Sequence, residues 1–135
     1  YCKLNINKKY NIDEISNISL SFKSGKSSKM NLGYGLFYQS IYEIWGSKGI
    51  LNLSRAYNIP PNMSALLKIN TKKITEIKIK PANHFKLMID NFSKEIKNDK
   101  SKYNFEKDII NQAKIMEAAR ISNKEKRSVK ISEIK

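Results

Sequence analysis

A chain of 135 residues fits one domain of ordinary size, about 100–150 residues, and is long enough to bury a core. Its net charge of +14 first suggests nucleic acid or an anionic membrane. Yet of its 26 basic residues only Arg55, Arg120 and Arg127 are arginine, the side chain that bidentate phosphate and guanine readout favours. Lysine, isoleucine and asparagine together are what an AT-rich genome places at permissive surface positions, so neither a nucleic-acid nor a membrane partner is expected. No apolar stretch approaches the roughly 20 residues needed to span a bilayer, and no signal-peptide pattern opens the chain. The lone Cys2 has no internal disulfide partner, and no Cys/His set has metal-ligand spacing. These features point to a cytoplasmic protein, and the start at Tyr1 reads as a fragment or a trimmed chain.

The first two-thirds alternate like strands. Cys2 to Ile6 is a short candidate, and Ile18, Leu20 and Phe22 fall at a period of two, which buries one face. Ser24-Gly25-Lys26-Ser27 is turn chemistry. Met30, Leu32, Tyr34 and Leu36 alternate again, with Gly33 and Gly35 opposite them marking a bulge or a close approach. From Tyr38 to Trp45 the aromatic and β-branched residues suit a pleated surface, with Tyr38, Ser40, Tyr42 and Ile44 on one side. Gln39, Ile41, Glu43 and Trp45 take the other. Gly46 to Gly49 closes a hairpin onto Ile50–Leu53, and Pro60-Pro61 blocks extension because proline has no ladder donor. Leu66–Ile69 and Ile74–Ile79 form a further hairpin.

After Pro81 the period changes. Phe85, Met88, Ile89, Phe92 and Ile96 lie on one face of a helix over about 83–97, with Asn83 as N-cap. A polar loop over 98–102 precedes a second helix over about 105–121, capped by Asn104. Its expected packing face is Phe105, Ile109, Ala113 and Met116, continuing to Ala119 or Arg120. The tail from Ser128 to Ile134 alternates at Val129 and Ile131, with Ile134 a further apolar position, and leaves its structure open between strand and turn. Strands followed by helices predict a single α+β domain, a mainly antiparallel sheet with two C-terminal helices packed on one face.

The run Y-Q-S-I-Y-E-I-W-G-S-K-G-I-L-N-L-S-R-A-Y-N-I-P-P, from Tyr38 to Pro61, resembles the middle of the C-terminal domain of the glucose–fructose oxidoreductase/inositol dehydrogenase (Gfo/Idh/MocA) family. Members carry a run like Y-Q-N-x-x-E-I-W-G-S-K-G and then R-A-[FY]-[ST]-x-P-P. Pro81 to Phe85, the helix through Phe92, and Gln112 to Ala119 are similar to the family's closing helices, and Asp13 to Gly25 to its strand–turn start. Ser40 and Asn58 depart from the pattern. The resemblance covers about residues 11–132. It implies the distal portion of a substrate and oligomerisation domain from an NAD(P)-dependent oxidoreductase. Such an enzyme acts on a sugar, and the Arg-Ala-aromatic-x-x-Pro-Pro variant looks most like members that reduce keto groups of nucleotide-linked sugars. NAD or NADP would be held by an N-terminal Rossmann domain, which this chain lacks: it has no G-x-G-x-x-G turn, no E-K-P lysine motif and no Asp/His catalytic helix. No cofactor is therefore expected on this chain alone. The family's sheet commonly pairs with another subunit, which implies a homo-oligomer.

Arg55 is the first candidate substrate-binding residue, because a fixed guanidinium fork suits a nucleotide phosphate or a sugar hydroxyl; an ion pair with Glu43 is the competing role. Tyr38, Gln39, Tyr57 and Asn58 carry groups that can hydrogen-bond a sugar at a strand end, although such tyrosines also serve as half-buried sheet residues. Trp45 is expected in the core, Glu43 in an inter-strand pair, and His84, beside an N-cap, in a capping or exposed position. No catalytic residue and no metal ligand emerges. Two other roles remain open: a stand-alone dimerisation module without catalysis, and a basic nucleic-acid-binding domain, which steep salt dependence would reveal.

Overall fold

In the computed structural model, residues 1–98 and 104–135 are described; part of the expected polar loop over 98–102 therefore lies outside the described residues. The chain divides into two compact units, Tyr1–Leu36 with Asn104–Lys135, and Phe37–Tyr103. Its architecture is α+β, as the order of strands and helices predicts. Among the described residues the strands form two separate antiparallel sheets, of three and four strands, where one sheet was expected.

The first unit holds β1 (Cys2–Asn7), β2 (Ile12–Ser21) and β3 (Ser27–Gly33), paired in that order. Ser16, Ile18 and Leu20 point to the covered side while Asn17, Ser19 and Ser21 are exposed, so the period of two holds within β2; Phe22, expected on the buried face, lies past the strand's end in the turn and is exposed. β3 ends at Gly33, three residues short of the alternating pattern, and Gly35 takes φ 71° just beyond it. That backbone favours glycine and turns the chain out of the ladder.

Helix α2 (Phe105–Glu125) packs against β1, but not through the face that its apolar residues suggest. Phe105, Ile109 and Met116 are exposed, and the buried positions are Ala118 and Ser122. The reason is the edge of β1, whose outward N–H groups lack a strand partner. The Ser122 hydroxyl accepts from Cys2 N at 2.8 Å and donates to the Arg127 carbonyl at 2.6 Å. Asn123 Oδ1 accepts from Leu4 N at 2.8 Å. Satisfying these donors turns the small and polar side of the helix inward. Burial of Cys2 raises its thiol pKa. The tail ends in a short 3-10 turn over Ile131–Glu133, tied back by Arg127, which pairs with Glu125 at 2.6 Å and Glu133 at 2.9 Å.

The second unit holds β4 (Ile41–Gly46), β5 (Gly49–Ser54), β6 (Ala65–Asn70) and β7 (Ile74–Ile79), each paired with the next, and α1 (His84–Ile96). Register separates the two sheet faces sharply. On one, Tyr42–Leu53–Leu67–Ile77 and Ile44–Leu51–Ile69–Thr75 run as rows across all four strands. On the other runs Glu43–Asn52–Lys68–Glu76, held by an Asn52–Glu43 hydrogen bond of 2.7 Å and a Lys68–Glu76 ion pair of 2.7 Å. α1 is capped by Asn83, whose side chain accepts from Lys86 N at 3.0 Å, and His84 is exposed, both as the sequence predicts.

Candidate functional site

β4 does not begin at Tyr38. The β4–β5 ladder closes at Ile41 paired with Ser54, and the next residue, Arg55, adopts φ 50°. Left-handed backbone costs a non-glycine residue roughly 1–2 kcal/mol. Its effect here is a bulge: two residues, Arg55 and Ala56, stand opposite the single Ser40, and Ala56 N reaches the Ser40 carbonyl at 2.7 Å. Asn58 is also left-handed, at φ 49°, where asparagine is better tolerated.

Two serine hydroxyls hold this turn. Ser40 Oγ donates to the Tyr57 carbonyl at 2.9 Å and accepts from Tyr57 N at 2.9 Å. Ser54 Oγ does the same for Leu66, donating to its carbonyl and accepting from its N–H, both at 3.2 Å. Each hydroxyl thus substitutes for a backbone bridge just past the end of a ladder, on opposite sides of Arg55.

The turn brings two of the five candidate residues, Arg55 and Tyr38, into contact, whereas Tyr57 meets Tyr42, which is not one of the five. The Arg55 guanidinium lies 5.7 Å from the centre of the Tyr38 ring, within cation–π range, and the Tyr57 ring is 6.2 Å from that of Tyr42. Gln39 and Asn58 are exposed beside them, and among the described residues neither side chain has a hydrogen-bond partner. The expected alternative for Arg55, an ion pair with Glu43, is not what forms. Glu43 instead accepts from the Trp45 indole at 2.9 Å and from Asn52 at 2.7 Å, and the two donors lower its carboxyl pKa. Trp45 is accordingly not a core residue: it is 77% exposed on edge strand β4, on the face of the polar row, where its N–H finds Glu43 two residues back. In the sequence Ser40 stands out only as a departure from the family pattern. The signal that marks it is a short hydroxyl placed one residue before a strand whose partner turns away.

This arrangement offers one half-buried cation, open aromatic faces and free amide groups, a set suited to an anionic, hydroxyl-rich ligand. Each strand pairing is antiparallel, and α1 follows β7 through Lys80-Pro81-Ala82-Asn83, without a phosphate-binding glycine turn. Among the described residues no group of three or more His, Cys, Asp or Glu could hold a metal ion, and no helix is long and apolar enough to cross a membrane.

No family model matches the chain. It is 24% identical over 87 residues to the dTDP-3,4-didehydro-2,6-dideoxy-alpha-D-glucose 3-reductase of Saccharopolyspora spinosa, which covers 64% of this chain and 26% of that protein. Among solved structures it is similar to KijD10, a 3-ketoreductase from Actinomadura kijaniata, in an open conformation with TDP-benzene and NADP. The TM-score is 0.63 at 19% identity, over 70% of this chain and 30% of KijD10. A KijD10 structure with NADP gives the same TM-score over 70% and 31%. The α+β fold is thus shared with KijD10, and the chain spans between a quarter and a third of the proteins it matches.

Proposed function

We propose that the chain is the distal portion of the C-terminal domain of a Gfo/Idh/MocA-type oxidoreductase that reduces a keto group on a nucleotide-linked sugar. In this reading Arg55, Tyr38, Gln39, Tyr57 and Asn58 form part of the substrate wall, and NAD(P)H is held by a Rossmann domain elsewhere in the parent protein. The observation that carries it is Arg55: a guanidinium without an ion-pair partner among the described residues, held in a backbone conformation that costs energy and faced by Tyr38. Support also comes from the likeness to a dTDP-sugar 3-reductase and to a 3-ketoreductase with TDP-benzene and NADP. A cytoplasmic setting accords with this chemistry.

The test is NADPH oxidation by the full-length protein with a dTDP-linked 3-keto sugar. Arg55→Ala is expected to lower kcat/KM by roughly 100-fold or more, equivalent to loss of about 3 kcal/mol of charge-assisted contact, with NADPH affinity unchanged. Full activity in that variant, or no oxidation by the native protein across a panel of nucleotide sugars, would defeat the proposal.

The same reading includes self-association through a sheet face. The apolar rows of β4–β7 leave Ile44 at 57% and Ile77 at 45% exposed, and an open apolar sheet face of this kind suits a covering partner.

A further inference from the structure

We infer that Ser40 is the positioning residue that sets Arg55 for its ligand, with Ser54 as its counterpart on the other side of the turn. The inference rests on the substrate-wall reading above and adds to it the device that builds the wall. Three observations carry it. First, the bulge places Arg55 in the left-handed position that glycine ordinarily fills, so local backbone preference alone would let the turn relax. Second, the Ser40 hydroxyl makes both the donor and the acceptor contact to Tyr57, and the Ser40 carbonyl takes the Ala56 N–H. Those three bonds fix the two residues that follow Arg55 against the start of β4. Third, Ser54, immediately before Arg55, is bound in the same two-way manner to Leu66 on β6. The strained residue is therefore pinned from both neighbouring strands, while its own guanidinium is left facing Tyr38.

A hydroxyl is the only small side chain that donates and accepts from one atom, which is what Tyr57 requires. Alanine at position 40 removes both bonds and frees Arg55 to leave the left-handed region. Threonine keeps the oxygen. Glycine at position 55 removes the strain and the cation together, so it should leave the fold intact and the ligand site empty of charge.

The experiment uses the full-length protein with dTDP as the probe, titrated calorimetrically, and selective carbon-13 labelling of arginine and tyrosine to follow the backbone at 55 and 57. Ser40→Ala is expected to weaken dTDP binding roughly tenfold, the effect of about 1.4 kcal/mol, and to shift the Arg55 Cα resonance away from left-handed values. Ser40→Thr should restore both readouts. Arg55→Gly should bind dTDP as weakly as Arg55→Ala while keeping the native thermal midpoint. Native dTDP affinity and a native Arg55 resonance in Ser40→Ala would overturn the role of Ser40 while leaving the substrate wall standing. Native affinity in Arg55→Gly would overturn the substrate wall itself, and the positioning role with it.

Discussion

Ser122 shows what a single buried hydroxyl does in this chain. It is 2% exposed and links the edge of β1, through Cys2 N, to the Arg127 carbonyl beyond the end of α2. Replacing it with alanine strands a buried N–H, and the cost of an unsatisfied buried donor is about 1–3 kcal/mol. Ser122→Ala should lower the urea midpoint accordingly, and an unchanged midpoint would mean that water replaces the hydroxyl. Gly49 is a second sensitive position, for a steric reason. A Cβ there would run into the Asn70 carbonyl and lie 2.8 Å from Thr71 Cγ2, so the backbones of the β4–β5 hairpin and β6 would have to part. Gly49→Ala is expected to destabilise the second unit by about 1–3 kcal/mol, read by denaturation of the chain. The glycine itself was legible as a hairpin residue. Its clash with Asn70 was not, because that contact depends on β6 pairing with β5.

At the scale of elements, the caps were the most readable feature. Asn83 and Asn104 each accept from the backbone N–H three residues on, as short polar side chains before apolar helices should. The packing face of α2 was misread for a physical reason. Hydrophobic periodicity assumes that apolar burial selects the face, whereas here two unpaired edge donors of β1 select it. Trp45 failed similarly: its size suggests burial, but its strand lies at the sheet edge on the polar side. The C-terminal turn makes a pH prediction. The Arg127 guanidinium and then the Lys130 N–H hold the Glu133 carboxyl below its ordinary pKa. A depressed carboxyl contributes stability that is present above the ordinary glutamate range and is lost as pH falls through the lower folded value. Acid should therefore loosen the tail before the sheets, and Glu133→Gln should make tail protection, measured by hydrogen exchange, independent of pH in that window.

For the molecule as a whole, exposed apolar surface is the dominant feature. Large apolar residues remain open on several elements, among them Ile44 at 57%, Phe85 at 75% and Ile109 at 68%. A surface of that kind is rarely left bare, since each fully buried aliphatic side chain contributes about 1.5–3 kcal/mol. The chain should therefore sediment as a dimer or larger, and Ile44→Lys combined with Ile77→Lys should raise the monomer fraction without loss of strand content. A strict monomer of the native chain at high concentration would count against pairing through this face. The net charge of +14 works in the other direction, because copies of like charge repel one another.

The sequence by itself determined the order of the elements, the helix caps and the hairpin turns, because those depend on periodicity, glycine and proline within a few residues. Only the tertiary structure decided which strands share a sheet, which side of α2 turns inward, and that Arg55 is strained and clamped by Ser40 and Ser54. Each of these turns on backbone donors and acceptors from distant segments finding partners. Such pairing is set by register between strands, which local residue patterns do not encode.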